Sequence, residues 1–107
     1  MACQKRSGSP FGVAAYYPNA QVQVTGESKH FARATELGEL FDHFLCPECG
    51  TTVFMSGKKN PDVTGIPIGL FDDEHSMRPI RSVWEDRRHG WVEIPTAMQH
   101  YSRGRVD

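Results

Sequence analysis

A single domain built mainly from β-strands is what this sequence predicts, on three observations. Its 107 residues are the length of one domain. Short alternating or aromatic runs recur along it, each broken by Gly, Pro or Asn, as strands and their turns are. No stretch carries the sustained helical periodicity of a long amphipathic helix. The domain is expected to span residues 1–98, followed by a polar tail, 99–107, that frays from Tyr101 onward.

Taken in order, residues 11–17 form an apolar, aromatic strand closed by Pro18-Asn19, and Gln21-Val22-Gln23-Val24 alternates as a second strand before Gly26. Residues 30–35 alternate around Phe31 and Arg33, and residues 40–45 run directly into Cys46, which predicts a hairpin feeding a turn. Residues 51–55 are β-branched and aromatic, hence a strand leaving that turn. Residues 56–61 read as a polar loop from their Gly, Lys, Asn and Pro. Ile66, Ile68 and Leu70 share one face of a further strand, and Pro67 marks it as an edge strand or a bulge because proline lacks a ladder donor. Asp72-Asp73-Glu74-His75 is an acidic turn, and the charged run from Glu85 to His89, between Trp84 and Trp91, fits a helical turn with a solvated face.

Composition bounds the function. Hydrophobic residues make up 38%, with 6 Phe, 3 Tyr and 2 Trp, so aromatic rings are expected to carry much of one modest core. Twelve basic and 13 acidic residues are mixed along the chain for a net charge of -1, which leaves no electrostatic footprint for nucleic acid or anionic lipid. No apolar run approaches the roughly 18 residues of a membrane span, and residues 1–10 lack the apolar centre of a secretory signal, so the expected compartment is the cytoplasm. Three cysteines, an odd number in a short chain, favour thiols used for metal or catalysis over a disulfide framework.

Cys46-Pro47-Glu48-Cys49-Gly50 is the strongest local motif, because two thiolates two residues apart in a tight turn can grip one zinc ion. The trailing glycine permits the positive φ such a turn uses. Two alternatives remain: a pair of buried free cysteines, or a redox pair, which would require a helix after the motif. Structural zinc takes four protein ligands, and this turn supplies two. Cys3 is the remaining thiol, and His43 lies three residues upstream of the pair. In the stretch Cys3-Gln4-Lys5-Arg6-Ser7-Gly8-Ser9-Pro10-Phe11-Gly12, Gly8 and Gly12 permit close backbone approach and Ser7 and Ser9 offer hydroxyls to a polar ligand. Its alternative is an N-terminal turn before a strand.

In order and spacing, the chain resembles the GFA family of glutathione-dependent formaldehyde-activating enzymes and CENP-V-like proteins. The matching residues are the stretch from Cys3 to Gly12, Gly26, Phe31-Ala32-Arg33, Phe44-Leu45 with the cysteine turn through Phe54, Ile68-Gly69-Leu70-Phe71-Asp72-Asp73, and the segments at Trp84 and Trp91. The resemblance reaches from Cys3 to about Pro95 and implies antiparallel sheets of the β-tent kind holding two zinc ions on cysteines. By resemblance, Cys46 and Cys49 are the second pair of structural zinc ligands, and Cys3 is the last cysteine of the Cys-His-Cys-x-x-Cys motif of the catalytic zinc. The family's N-terminal Cys-x-Cys and the rest of the catalytic motif have no counterpart after Met1. Incomplete zinc sites and missing first strands are therefore expected, and a start placed downstream of the true one is preferred over a decayed copy.

The activity the resemblance implies is a zinc-dependent carbon–sulfur lyase that joins glutathione and formaldehyde into S-hydroxymethylglutathione, or makes a related thiol adduct, with turnover impaired in this chain. Zinc with an open position can lower the pKa of a coordinated thiol or polarise a carbonyl. Ser7, Gly8, Ser9 and Gly12 would line the glutathione site by analogy. The competing expectation is a non-catalytic zinc module that binds glutathione, another small thiol or a protein partner. A redox dithiol protein is the third.

Overall fold

The computed structural model describes residues 2–35, 38–72 and 78–104. In chain order the elements are helix α1 (Ala2–Ser7) and strands β1 (Ala14–Pro18), β2 (Lys29–Ala34), β3 (Leu40–Leu45), β4 (Thr52–Gly57), β5 (Asn60–Pro67), β6 (Arg81–Ser82) and β7 (Gln99–His100). Single 3₁₀ turns occupy Asn19–Gln21, Ile68–Leu70 and Glu85–Arg87. These elements fall into two units, Ala14–Asp72 and the pair of segments Met1–Val13 and Asp73–Asp107. The fold is mainly β, as the sequence predicts.

The unit Ala14–Asp72 is one antiparallel sheet in the order β1-β5-β4-β3-β2. Its middle follows the sequence closely. β2 and β3 pair from Lys29↔Leu45 to Ala34↔Leu40, and β3 and β4 form the hairpin that carries the cysteine turn. Three expectations are corrected. Residues 56–61 are not a loop, since β4 runs through Gly57 and β5 starts at Asn60, leaving a two-residue turn at 58–59. The polar composition belongs to a tight hairpin, where ladder pairing overrides the low strand propensity of Asn60 and Pro61. Gln21-Val22-Gln23-Val24 is not a strand, because the chain enters a 3₁₀ turn after Pro18 and the alternating residues find no ladder partner. Asn19 holds that turn to β5, donating from Nδ2 to the Pro61 carbonyl at 2.9 Å and accepting from the Thr64 hydroxyl at 2.7 Å.

The third correction concerns Pro67. It ends an interior strand rather than marking an edge, and Ile68 and Leu70 belong to the 3₁₀ turn beyond it. A proline is tolerated there because the strand ends with it. The edges of the sheet are β1 and β2.

Aromatic rings do not fill a core as expected. Among the described residues the buried side chains are Met55, His43 and Thr64, at 4%, 5% and 9% exposure, while Phe31 and Tyr16 stand more than half exposed. Position in the sheet explains this division, since Phe31 pairs with His43 and Tyr16 with Gly65 in the same cross-strand row as Met55, and the exposed rings stand on the edge strands β2 and β1. His43 and Met55 pair across β3 and β4 on one face, where the Tyr16 ring crosses Gly65 so closely that a Cβ there would come within 2.7 Å of it. The other face carries a row of rings across three strands, with His30 on Phe44 at 4.9 Å and Phe44 on Phe54 at 4.3 Å. His30 also meets Asp42 at 2.7 Å.

In the other unit, residues expected to be a frayed tail are tied down. β7 pairs in parallel with β6, and Tyr101 donates its N–H to the Ser82 carbonyl at 2.8 Å. The Arg103 carbonyl accepts from Trp84 N–H at 3.0 Å, and the Arg103 guanidinium lies 5.5 Å over the Trp84 ring. The partners of this segment are some twenty residues away in sequence, so composition alone marked it as a tail. Trp84 has φ 57, a left-handed conformation a bulky residue adopts only when its surroundings fix it. It starts the 3₁₀ turn at Glu85–Arg87, the helical turn expected between the tryptophans. Residues 73–77 of the acidic segment and residues 105–107 of the tail lie outside the described residues. Among the described residues no helix is long and apolar enough to cross a membrane.

Candidate functional site

The cysteine turn is built by its own backbone. The Cys46 N–H donates to the Thr51 carbonyl at 2.8 Å, closing the hairpin, and the Gly50 N–H donates to the Cys46 carbonyl at 2.9 Å. Gly50 sits at φ 76 with open space where a Cβ would be, so glycine is needed here for conformation and not for room. β4 follows, a strand and not the helix a thioredoxin-type pair requires. Cys46 is half-buried and Cys49 exposed, and both are free thiols.

Cys49 Sγ lies 3.1 Å from Thr51 Oγ1. Hydrogen bonds from the Thr51 hydroxyl first, then the Thr51 backbone N–H and the Cys46 side chain, hold the Cys49 thiol below its ordinary pKa. A thiolate, the form favoured at Cys49, is what ligates zinc, and the two sulfurs of one turn could fill two of its four tetrahedral positions. His43 is engaged elsewhere. Its ring is buried on the sheet, accepts from Arg33 Nε at 3.2 Å and packs 5.2 Å from the Phe41 ring. Among the described residues no three His, Cys, Asp or Glu side chains gather as a metal site would need. Cys3 is exposed on α1, in the other unit.

That unit holds a shallow hollow of about 320 Å³ lined by Gln4, Lys5, Gly8, Ser9, Pro10 and His89. Two chain segments make it. One is the end of α1 with the turn after it, where the Gly8 N–H returns to the Gln4 carbonyl at 2.9 Å. The other is the segment after Trp84, pinned by the Gln4 amide, whose Nε2 donates to the Arg87 carbonyl at 2.9 Å.

Of the four residues expected to line a ligand site, Gly8 and Ser9 border this hollow. The Ser7 hydroxyl is instead turned into its own loop, within 3.5 Å of the Gln4 and Phe11 carbonyls and accepting from the Ser9 N–H. Gly12 lies against Arg6, whose Nη2 would be 2.8 Å from a Cβ at that position. Sequence reasoning missed His89, which sits in a charged run that looks like any solvated face, about eighty residues from its companions. No local signal could have found it.

A family model described as glutathione-dependent formaldehyde-activating enzyme matches residues 1–87. The chain belongs to this family. The GFA match takes in the cysteine turn, Cys3 and the α1 wall of the hollow, and ends before His89. A comparison with curated proteins gave no match. Among the described residues, the hairpin turn with two thiols and the hollow beside Gly8 and Ser9 are the two candidate anchoring places.

Proposed function

We propose that this chain is a glutathione-binding zinc domain of the GFA type, serving the carbon–sulfur chemistry that joins glutathione to formaldehyde. In that reaction the thiolate sulfur attacks the aldehyde carbon, a C–S bond forms, and the carbonyl π pair moves to oxygen, which takes up a proton to give S-hydroxymethylglutathione. The observation that carries the reading is the GFA match across the cysteine turn and the α1 wall of the hollow. Cys46 and Cys49 would hold zinc as two of its ligands, and zinc bound with an open position supplies polarisation of a thiol or carbonyl. The residues of this chain contribute the thiolate-favouring turn and a shallow hollow of a size for part of a tripeptide.

A second reading, a module that carries glutathione without turning it over, is favoured by the two-ligand reach of the turn, which no third ligand joins among the described residues. One experiment separates the two. Glutathione is titrated into the zinc-loaded chain while heat and, in a parallel sample, formaldehyde consumption are followed. Heat with consumption above the uncatalysed rate identifies the lyase, and heat alone identifies the carrier. Absence of binding heat at millimolar glutathione overturns both.

A further inference from the structure

The charges around the hollow are unevenly satisfied. The carboxylates of its 85–89 wall are turned to other partners: Glu85 Oε2 meets His100 Nδ1 at 2.7 Å, and Asp86 Oδ2 lies 3.7 Å from Arg103 Nε and 3.9 Å from Arg87 Nε. Lys5 and His89, which both line the hollow, have no ion-pair partner among the described residues. His89 instead places its ring edge-on to Trp91, with centroids 6.5 Å apart. Ser9 Oγ accepts from the Phe11 N–H at 3.4 Å, which leaves its own proton to donate. The residues of one wall thus carry an ammonium and a hydroxyl and that of the other an imidazole, and no carboxylate-bearing residue is among those lining the hollow.

We propose that this hollow is a carboxylate-binding subsite, in which Lys5, Ser9 and His89 take a terminal carboxylate of a small peptide-like ligand. Charge-assisted donors from two walls suit a carboxylate better than an uncharged group. A volume of about 320 Å³ is at the low end of ligand pockets, which span roughly 300–1,000 Å³, so it holds an end group and not a whole tripeptide. That the ligand is glutathione, with its two carboxylates, rests on the reading above; the carboxylate chemistry does not. His89 lies beyond the stretch the GFA model matches, so this assignment comes from the fold of this chain.

The test is a titration of the isotopically labelled full chain, followed through its amide signals, with three probes: glutathione, glutathione diethyl ester and glutarate. Glutathione and glutarate are each expected to move the signals of Lys5, Gly8, Ser9 and His89. The diester, which keeps the thiol and loses both carboxylates, is expected to bind roughly tenfold more weakly or worse, the loss of a charge-assisted contact. Lys5→Gln and His89→Gln, both at exposed positions, are expected to weaken glutathione by a similar factor with the remaining spectrum unchanged. If glutathione binds but the diester binds equally well, or the moving signals lie elsewhere, the carboxylate subsite is wrong and glutathione binding survives. Glutarate moving the hollow signals while glutathione does not would keep the subsite and overturn the glutathione reading. No response to either probe overturns both.

Discussion

The cysteine turn and the hollow are held by opposite means. The turn lies between two strands adjacent in sequence, and every bond that shapes it joins residues within a few positions, Cys46 to Thr51 and Gly50 to Cys46. The hollow joins α1 to a segment eighty-three positions away through the Gln4–Arg87 bond. A site of the first kind is written in a pentapeptide and depends on local conformation. One of the second kind exists only while distant segments stay docked, and its chemistry can change with a single residue on either wall.

Substitutions can break that contrast. The largest effect is expected at the turn: Cys46→Ser or Cys49→Ser should erase any zinc-dependent rise in Tm. In complete structural sites that stabilisation reaches about 10–16 kcal/mol of apparent binding free energy. A thermal scan with and without zinc reads it, and an unchanged zinc response in either variant would remove the turn from the metal site. Next comes Met55→Ala, which empties the most buried apolar position of the sheet and should cost about 2–5 kcal/mol by urea unfolding. A cost under half a kcal/mol would mean that Met55 closes no core.

Gly50→Ala, forced into a left-handed conformation, is expected to cost about 1–2 kcal/mol. Gln4→Ala should cost roughly 0.5–1.5 kcal/mol, the worth of one hydrogen bond, and loosen the hollow. Equal losses of glutathione affinity from Gly50→Ala and Gln4→Ala would blur the distinction between the two places.

The smallest change is chemical. In the metal-free chain, Thr51→Val removes the hydroxyl that most lowers the Cys49 pKa, so the thiolate is lost at a higher pH as solutions are acidified. The pH at half-maximal alkylation of Cys49 should therefore move upward in the variant, back toward that of an ordinary thiol. A downward move would reverse the assigned role of Thr51.

How much was legible in the sequence follows the same contrast. The strands that flank the turn, β2 through β4, were readable because alternation, Gly38 and the cysteine spacing all act over a few residues. The C-terminal segment was misread because its partner is far away: β7 finds β6 across the intervening segment, and the polar residues 99–104 gave no hint of it. Residues 56–61 failed for another reason, since a two-residue hairpin between long strands has the composition of a loop. In the hollow, Gly8 and Ser9 were legible as a polar, permissive stretch. Ser7 looked identical in sequence, and only the turn geometry spends its hydroxyl on the loop.

The central claim, one chain that binds glutathione and holds zinc through its cysteine turn, is tested most directly by native mass spectrometry of the full chain with both present. The expected spectrum carries one glutathione per chain and at most one zinc, the zinc vanishing in Cys49→Ser. A chain that takes up no glutathione, or holds two zinc ions tightly, would contradict the account.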